Sequence, residues 1–303
     1  MTKQAATGRV LRVLGGFYTV ALPNGSQHEC RLAGRMKSGG GAGSSGPVLP
    51  GDIVSIIDSE DTILISAVLP RHTELVRPAI ANVDTCIVVQ SFMHPAPVPE
   101  LLEKILLMSS NQGIEPLLCW TKADLVAQDE QEPQVRMYER AGYASCVTSV
   151  KTGAGMDELR AGVSGRVSIL SGASGVGKSS LLNTLHPGAS FRTAEISSHG
   201  GRGRHTTRHT QLLPITNDSW VADSPGFSAL DLAFVGTDPV RLGRCYPDFA
   251  RLAQMCRFAD CRHHNEPDCA VKSAVAQGTI DSARYERYLR FLEEVETNAA
   301  RQY

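Results

Sequence analysis

The chain has 303 residues, with 30 Lys and Arg against 31 Asp and Glu, for a formal net charge of -1. That length suffices for two or three domains, and the balance excludes a globally basic nucleic-acid binder or a polycationic membrane protein; any such surface has to be local. No apolar run approaches the roughly 18 residues of a membrane span, and the first residues lack the apolar core of a secretory signal, so a cytoplasmic protein with reduced thiols is expected.

The N-terminal stretch reads as short strands separated by turn signals. Residues Gly8 to Val13 lead to Gly15-Gly16, and Phe17 to Leu22 lead to Pro23-Asn24-Gly25, a strong hairpin signal. Lys37 to Pro47 is rich in Gly and Ser and reads as a loop. Pro50-Gly51-Asp52 then turns into the apolar Ile53 to Ile57, and the spacing suits a small OB-type β-barrel. Pro70 to Pro78 reads as a linker.

From there the pattern alternates. Cys86 to Val89 reads as a buried strand, and Glu100 to Asn111 as a helix with Leu101, Leu102, Ile105 and Met108 on one face. Pro116 to Trp120, Ala144 to Thr148, Val167 to Leu170 and Trp220 to Ala222 read as further strands, which implies a largely parallel sheet with helical cover. A last helix is expected over Asp281 to Glu296, carrying Arg284, Arg287 and Arg290 as a partial basic stripe that is either solvated or RNA-facing. Of the eight cysteines, Cys30, Cys86, Cys119 and Cys146 are scattered and read as small buried hydrophobes.

Gly172-Ala173-Ser174-Gly175-Val176-Gly177-Lys178-Ser179 fits G-x-x-x-x-G-K-[ST] at every fixed position, between an expected strand and an expected helix that starts Ser179-Ser180. The glycines let successive N–H groups converge on phosphate oxygens, the helix N-terminus adds favourable potential, Lys178 serves the β- and γ-phosphates, and the Ser179 hydroxyl suits Mg²⁺. A phosphate-binding loop alone does not separate ATP from GTP. Thr121-Lys122-Ala123-Asp124 resembles the guanine-reading motif, in which a carboxylate accepts from both N1–H and N2–H₂, a pairing that adenine cannot make. Ser149-Val150-Lys151 resembles the second base-supporting element, and Asp223-Ser224-Pro225-Gly226 the element whose Asp serves Mg²⁺ and whose Gly226 N–H senses the γ-phosphate. The base motifs precede the phosphate loop, the reverse of the usual order.

With these motifs, the Gly-Gly-Phe-Tyr start, Leu69-Pro70-Arg71, Ala81-Asn82-Val83-Asp84 and Gly201 to Thr207, the sequence resembles the ribosome small-subunit-dependent GTPase A family of circularly permuted GTPases. The resemblance implies an α/β protein: a circularly permuted P-loop GTPase domain with an N-terminal OB-type barrel and a small C-terminal zinc-binding domain. The corresponding divisions are 1–72, 73–232 and 233–303. It implies GTP and GDP as ligands, the small ribosomal subunit and its rRNA as partner, a role in late subunit maturation, and a monomer without a membrane partner. The family usually has Asn where this chain has Thr121, and Thr forms fewer hydrogen bonds, so weaker nucleotide binding is expected.

The position after Gly226 is Phe227, which cannot orient a water; the resemblance points to His205 for that role. Either Thr206 or Thr207 is expected to ligate Mg²⁺, with Thr207 favoured. Arg192 to His209 carries four Arg and three His against Glu195 alone, which suits γ-phosphate sensing and rRNA contact. Finally Cys256, Cys261, His263 and Cys269 supply three thiolates and an imidazole, a set that favours structural tetrahedral Zn²⁺, with His264 and Cys245 as competing ligands.

Overall fold

A computed structural model describes residues 6–37, 46–59, 62–76, 78–186, 210–216, 218–223 and 238–301. In chain order these form strands β1 (Ala6–Leu14), β2 (Phe17–Ala21) and β3 (Gln27–Leu32), one helical turn α1 (Gly34–Lys37), then β4 (Ile53–Ser59), β5 (Thr62–Val68), β6 (Glu74–Val76), β7 (Ala79–Ala81) and β8 (Thr85–Ser91). Next come α2 (Pro99–Asn111), β9 (Glu115–Thr121), α3 (Gln128–Ala141), β10 (Ala144–Val147), α4 (Met156–Gly162), β11 (Val167–Ser171) and α5 (Lys178–Leu185). The chain continues with β12 (Gln211–Pro214), β13 (Trp220–Asp223), α6 (Pro239–Arg244), α7 (Pro247–Ala253), α8 (Ala270–Ala276) and α9 (Ser282–Arg301).

The chain divides into two compact units, each drawn from three stretches. The first comprises Met1–Cys86, Arg160–Leu170 and Ser179–Ser228. Its barrel closes because β1 pairs with both β2 and β4, while β2 pairs with β3, β3 with β5 and β5 with β4. Asn24-Gly25 makes the expected hairpin, with Gly25 at a φ of 83° and its N–H on Leu22 O at 2.9 Å. Inward residues Val10, Val20, Cys30, Val54 and Ile65 fill the barrel. Beside it, β12 pairs antiparallel with β13, and β13 runs parallel to β11.

The stretch read as a linker is not one. It contains β6, paired with β7, and Arg71 is held by fully buried Asp52 through two hydrogen bonds of 2.7 Å. Asn82 adds hydrogen bonds to Gly51 O and from His72 N. Proline punctuation marked a break in pattern; the buried ion pair, invisible in the pattern, ties it down.

The second unit comprises Ile87–Leu159, Ser171–Lys178 and Ala229–Tyr303. Here β9 lies between β8 and β10, with β10 parallel to it, so the expected parallel pairing is found. All four scattered cysteines are buried, and none of them is in a disulfide. Helix α2 is buried more widely than one face: Glu103, Leu106, Leu107 and Ser109 are covered as well as the expected residues, whereas Leu101 is only half-buried. Leu107 and Met108 pack with Leu242, Tyr246, Phe249, Tyr288, Phe291 and Val295, so the C-terminal helices cover a second side.

The expected basic stripe of α9 also turns inward. Arg284 is 1% exposed, paired with Asp248 and lying over the Tyr246 ring at 4.9 Å. Arg287 Nε meets the buried Glu103 carboxylate at 2.8 Å, and only Arg290 faces solvent. Helical spacing put three guanidiniums on one side; acidic residues on α2 and α7 made that side internal. Among the described residues, no helix is long and apolar enough to cross a membrane.

Candidate nucleotide site and metal centre

The two candidate base-reading loops are built at the ends of two parallel strands. At the end of β9, Lys122 takes a left-handed φ of 59° and turns the chain into a 3-10 turn, Ala123–Leu125, that carries Asp124. The neighbouring strand ends are laced together: Thr148 N–H and hydroxyl both donate to Trp120 O, at 2.6 and 3.1 Å, and Ala123 N–H donates to Thr148 O at 3.2 Å. Ser149 then donates its hydroxyl to Asp124 Oδ1 at 2.6 Å. This bond to the charged form holds the Asp124 carboxyl below its usual range. Lys151 Nζ lies 3.9 Å from Asp124 Oδ2 and is otherwise solvated. Bonds from Ser149 N–H to Ala154 O and from Gly153 N–H to Ser149 O close the turn, which leaves Val150 and Lys151 at its exposed rim. The carboxylate is thus fixed and ionised, as an acceptor for two amine protons must be.

The phosphate loop shows why its glycines are glycines. Gly172 has a φ of 146°, and a Cβ there would lie 2.2 Å from Val89 O; Gly175 and Gly177 also take positive φ values of 78° and 103°. Alternation of such residues with ordinary ones turns backbone N–H groups toward a common concavity. Lys178 opens α5, and its ammonium donates to Gly172 O at 2.8 Å and Ala173 O at 2.6 Å. Burial lowers its pKa. Ser179 and Ser180 follow in the first helical turn, both half-buried.

Thr121 joins the two motifs. Its hydroxyl donates to Val176 O of the phosphate loop at 2.5 Å, so the Thr side chain bridges the two loops with its single hydroxyl proton. Lys122 makes a second link, to Gly175 O at 2.8 Å and to His94 O. Sequence reading missed His94, which acts through its carbonyl and so carries no residue-type signal. It also missed Gln131 on α3, whose amide donates to Ala123 O and Val126 O at 2.9 and 2.7 Å and steadies the Asp124 turn. Asp223 ends β13, registered opposite Gln211. The expectations for Arg192 to His209, which include His205, Thr206 and Thr207, and those for Gly226 and Phe227, lie outside the described residues.

In the C-terminal module, Cys256, Cys261, His263 and Cys269 converge, with all ligand atoms within 4.8 Å of one another. His263 Nδ1 lies 3.6 Å from Cys256 Sγ and 3.5 Å from Cys269 Sγ, and the two sulfurs are 4.0 Å apart. Tetrahedral zinc–thiolate bonds of about 2.3 Å place sulfurs about 3.8 Å apart, so the set fits such an ion. Burial pushes the Cys261 thiol up to about 12 and His263 downward; a bound dication would reverse the first and suit the neutral imidazole. Outer contacts fix the loop: Tyr285 Oη donates to His263 O at 2.6 Å, Tyr288 Oη to Arg262 O at 2.5 Å, and Glu266 accepts the N–H groups of Arg262 and His264. Of the competing ligands, His264 is exposed and Cys245 is buried outside this group.

The RsgA GTPase family model matches residues 68–233. A Moorella thermoacetica protein named small ribosomal subunit biogenesis GTPase RsgA is 44% identical over 289 residues, covering 95% of this chain and 97% of that protein. The chain belongs to the RsgA GTPase family. A Halalkalibacterium halodurans RsgA of the same name is 40% identical, over 98% of this chain and 99% of its own. Among solved structures, YjeQ from Thermotoga maritima superposes with a TM-score of 0.80 at 31% identity, covering 96% of this chain and 99% of that one. YloQ, described as a circularly permuted GTPase, gives 0.79 at 30% identity, over 97% and 96%. The fold is therefore the permuted one that the motif order implied, with a five-stranded N-terminal barrel and a C-terminal Cys/His cluster able to hold a metal ion. As an RsgA GTPase, the protein is a hydrolase.

Proposed function

We propose that this RsgA-family chain binds the small ribosomal subunit and acts in its late maturation, hydrolysing GTP to GDP and phosphate with stimulation by the ribosome. The observation that carries this reading is identity of 44% across nearly the whole chain with a protein named for small-subunit biogenesis. The site chemistry supports it: an ionised, hydroxyl-braced Asp124 is a reader for guanine, and Thr121 and Lys122 tie that reader to the phosphate loop.

In this reading the backbone of Gly172 to Ser180 cradles the phosphates, Lys178 leaves its carbonyl partners to meet them, and the rim Ser149-Val150-Lys151 supports the base. Mg²⁺ is held by Ser179 and by Thr207, with Thr206 as the alternative, and Asp223 acts on it through water; the ion offsets the phosphate charge. Gly226 N–H senses the γ-phosphate and His205 orients the water. One structural Zn²⁺ per chain sits on Cys256, Cys261, His263 and Cys269, where it supplies folding energy. We retain the division into barrel (1–72), GTPase domain (73–232) and zinc-binding domain (233–303), working as a cytoplasmic monomer without a membrane partner and touching rRNA. Co-sedimentation with purified small subunits tests this. Binding with a non-hydrolysable GTP analogue that exceeds binding with GDP supports it; no binding with either nucleotide contradicts it.

A further inference from the structure

The two base-reading motifs carry four side chains with hydrogen-bond donors, and the two hydroxyls among them each use their single proton within the protein. Ser149 donates to Asp124 Oδ1 at 2.6 Å, whereas the exposed Lys151 ammonium stands 3.9 Å from Asp124 Oδ2, beyond hydrogen-bond distance. Lys122 is tied to Gly175 O and His94 O. The fourth is Thr121, whose side chain is buried, at 3% exposure, with two carbonyls before its hydroxyl: Val176 O at 2.5 Å and Gln90 O at 3.5 Å. A hydroxyl has one proton. Once that proton is on Val176 O, Thr121 has none for a nucleotide.

Guanine presents two kinds of edge. N1–H and N2–H₂ are donors and suit Asp124, whereas O6 and N7 are acceptors and need donors from the protein. Among the described residues, the main-chain N–H groups of Val150 and Lys151 have no acceptor. They stand on the rim beside Asp124, and O6 is the acceptor adjacent to the N1–H that Asp124 takes. N7 lies beyond O6, on the five-membered ring.

We propose that Thr121 is a positioning residue that does not touch the base, and that the site reads guanine by its Watson–Crick edge alone, leaving N7 unread. An amide at position 121 would have two protons, one for Val176 O and one for the base; the hydroxyl does the first task only. The site therefore accepts guanine nucleotides altered at position 7. This rests on the assignment of Asp124 as the guanine reader.

The test is equilibrium competition by GTP, 7-deaza-GTP and ATP for the full chain with Mg²⁺. In 7-deaza-GTP a C–H replaces N7 and nothing else changes. GTP and 7-deaza-GTP are expected to agree within about twofold. Thr121→Val should weaken both together by about threefold to tenfold, since it removes only the pin to the phosphate loop. Thr121→Asn should create a preference for GTP over 7-deaza-GTP of about threefold to tenfold, the effect of one new hydrogen bond. A wild-type preference for GTP of tenfold or more would overturn the inference, as would a Thr121→Asn variant that still fails to discriminate. ATP competing as well as GTP would overturn the Asp124 assignment beneath it, an outcome separable from the other two.

Discussion

The Ser149–Asp124 pair shows how one residue sets the working range of another. A carboxyl stabilised in its charged form stays ionised as pH falls, until its depressed pKa is reached. GTP affinity is therefore expected to stay level from neutral pH into the ordinary carboxylate range near about pH 4. Ser149→Ala should move the acid limb upward and weaken binding at neutral pH by about threefold to tenfold. Affinity measured against pH for both proteins checks this, and superimposable acid limbs would contradict it. Gly172 gives a backbone counterpart. With φ at 146° and Val89 O 2.2 Å from any Cβ, Gly172→Ala has to displace the loop. It should cost about 1–3 kcal/mol of stability and abolish nucleotide binding. Gly153→Ala, where φ is 80° and a Cβ meets nothing within 4 Å, is the control that pays only the backbone term. Nucleotide binding by Gly172→Ala equal to that of the control would refute the close-approach account. Local geometry was legible at this scale: Lys178 opens α5, and Gly172, Gly175 and Gly177 take the positive φ values that glycine permits. What a motif does not encode is a partner that acts through its carbonyl, such as His94, or a brace from another helix, such as Gln131.

At the scale of elements, the C-terminal module is fastened to helix α2 by charge in the interior. Arg284 reaches Asp248 of α7, Arg287 reaches Glu103 of α2, and Tyr138 of α3 contacts the same Glu103 at 3.4 Å. A buried pair is weak evidence of net stability, but removal of one partner leaves the other charge uncompensated. Arg284→Ala should thus cost about 3–5 kcal/mol in chemical denaturation, while Arg290→Ala, on the solvent side, should stay within about 0.5 kcal/mol. Equal small effects would mean that the stripe is a surface after all. The metal cluster makes a separate demand. Elemental analysis should find about one Zn²⁺ per chain, and Cys261→Ser should lose it and loosen the module; a metal-free protein of unchanged stability would refute the assignment. Strands, hairpin and the last helix were readable from period and turn residues. Helix α3 was not, because only Tyr138 and Ala141 of its residues are buried and Pro133 interrupts its pattern. The burial of Arg284 was hidden for a different reason: its partner Asp248 lies on another helix, which the spacing along α9 does not report.

At the scale of the whole molecule, the permuted order was fully legible, since four short motifs in a shifted sequence constrain one another more than any one does alone. Similarity to YloQ and to RsgA proteins along nearly the whole chain agrees with it. The order has a structural consequence within the second unit: the base-reading strands, the phosphate-loop residues Ser171–Lys178 and the metal module belong to one compact body. The division of the chain into that body and the barrel-bearing unit was not legible, because both units draw on separated stretches and linear composition does not report which stretches meet. As proposed, this GTPase acts on the small ribosomal subunit. The direct measurement is steady-state GTP turnover by the purified full chain with small subunits, with large subunits and with neither. Small subunits are expected to raise turnover well above the rate of the protein alone, with large subunits leaving it unchanged. Turnover that is the same in all three mixtures would contradict the claim.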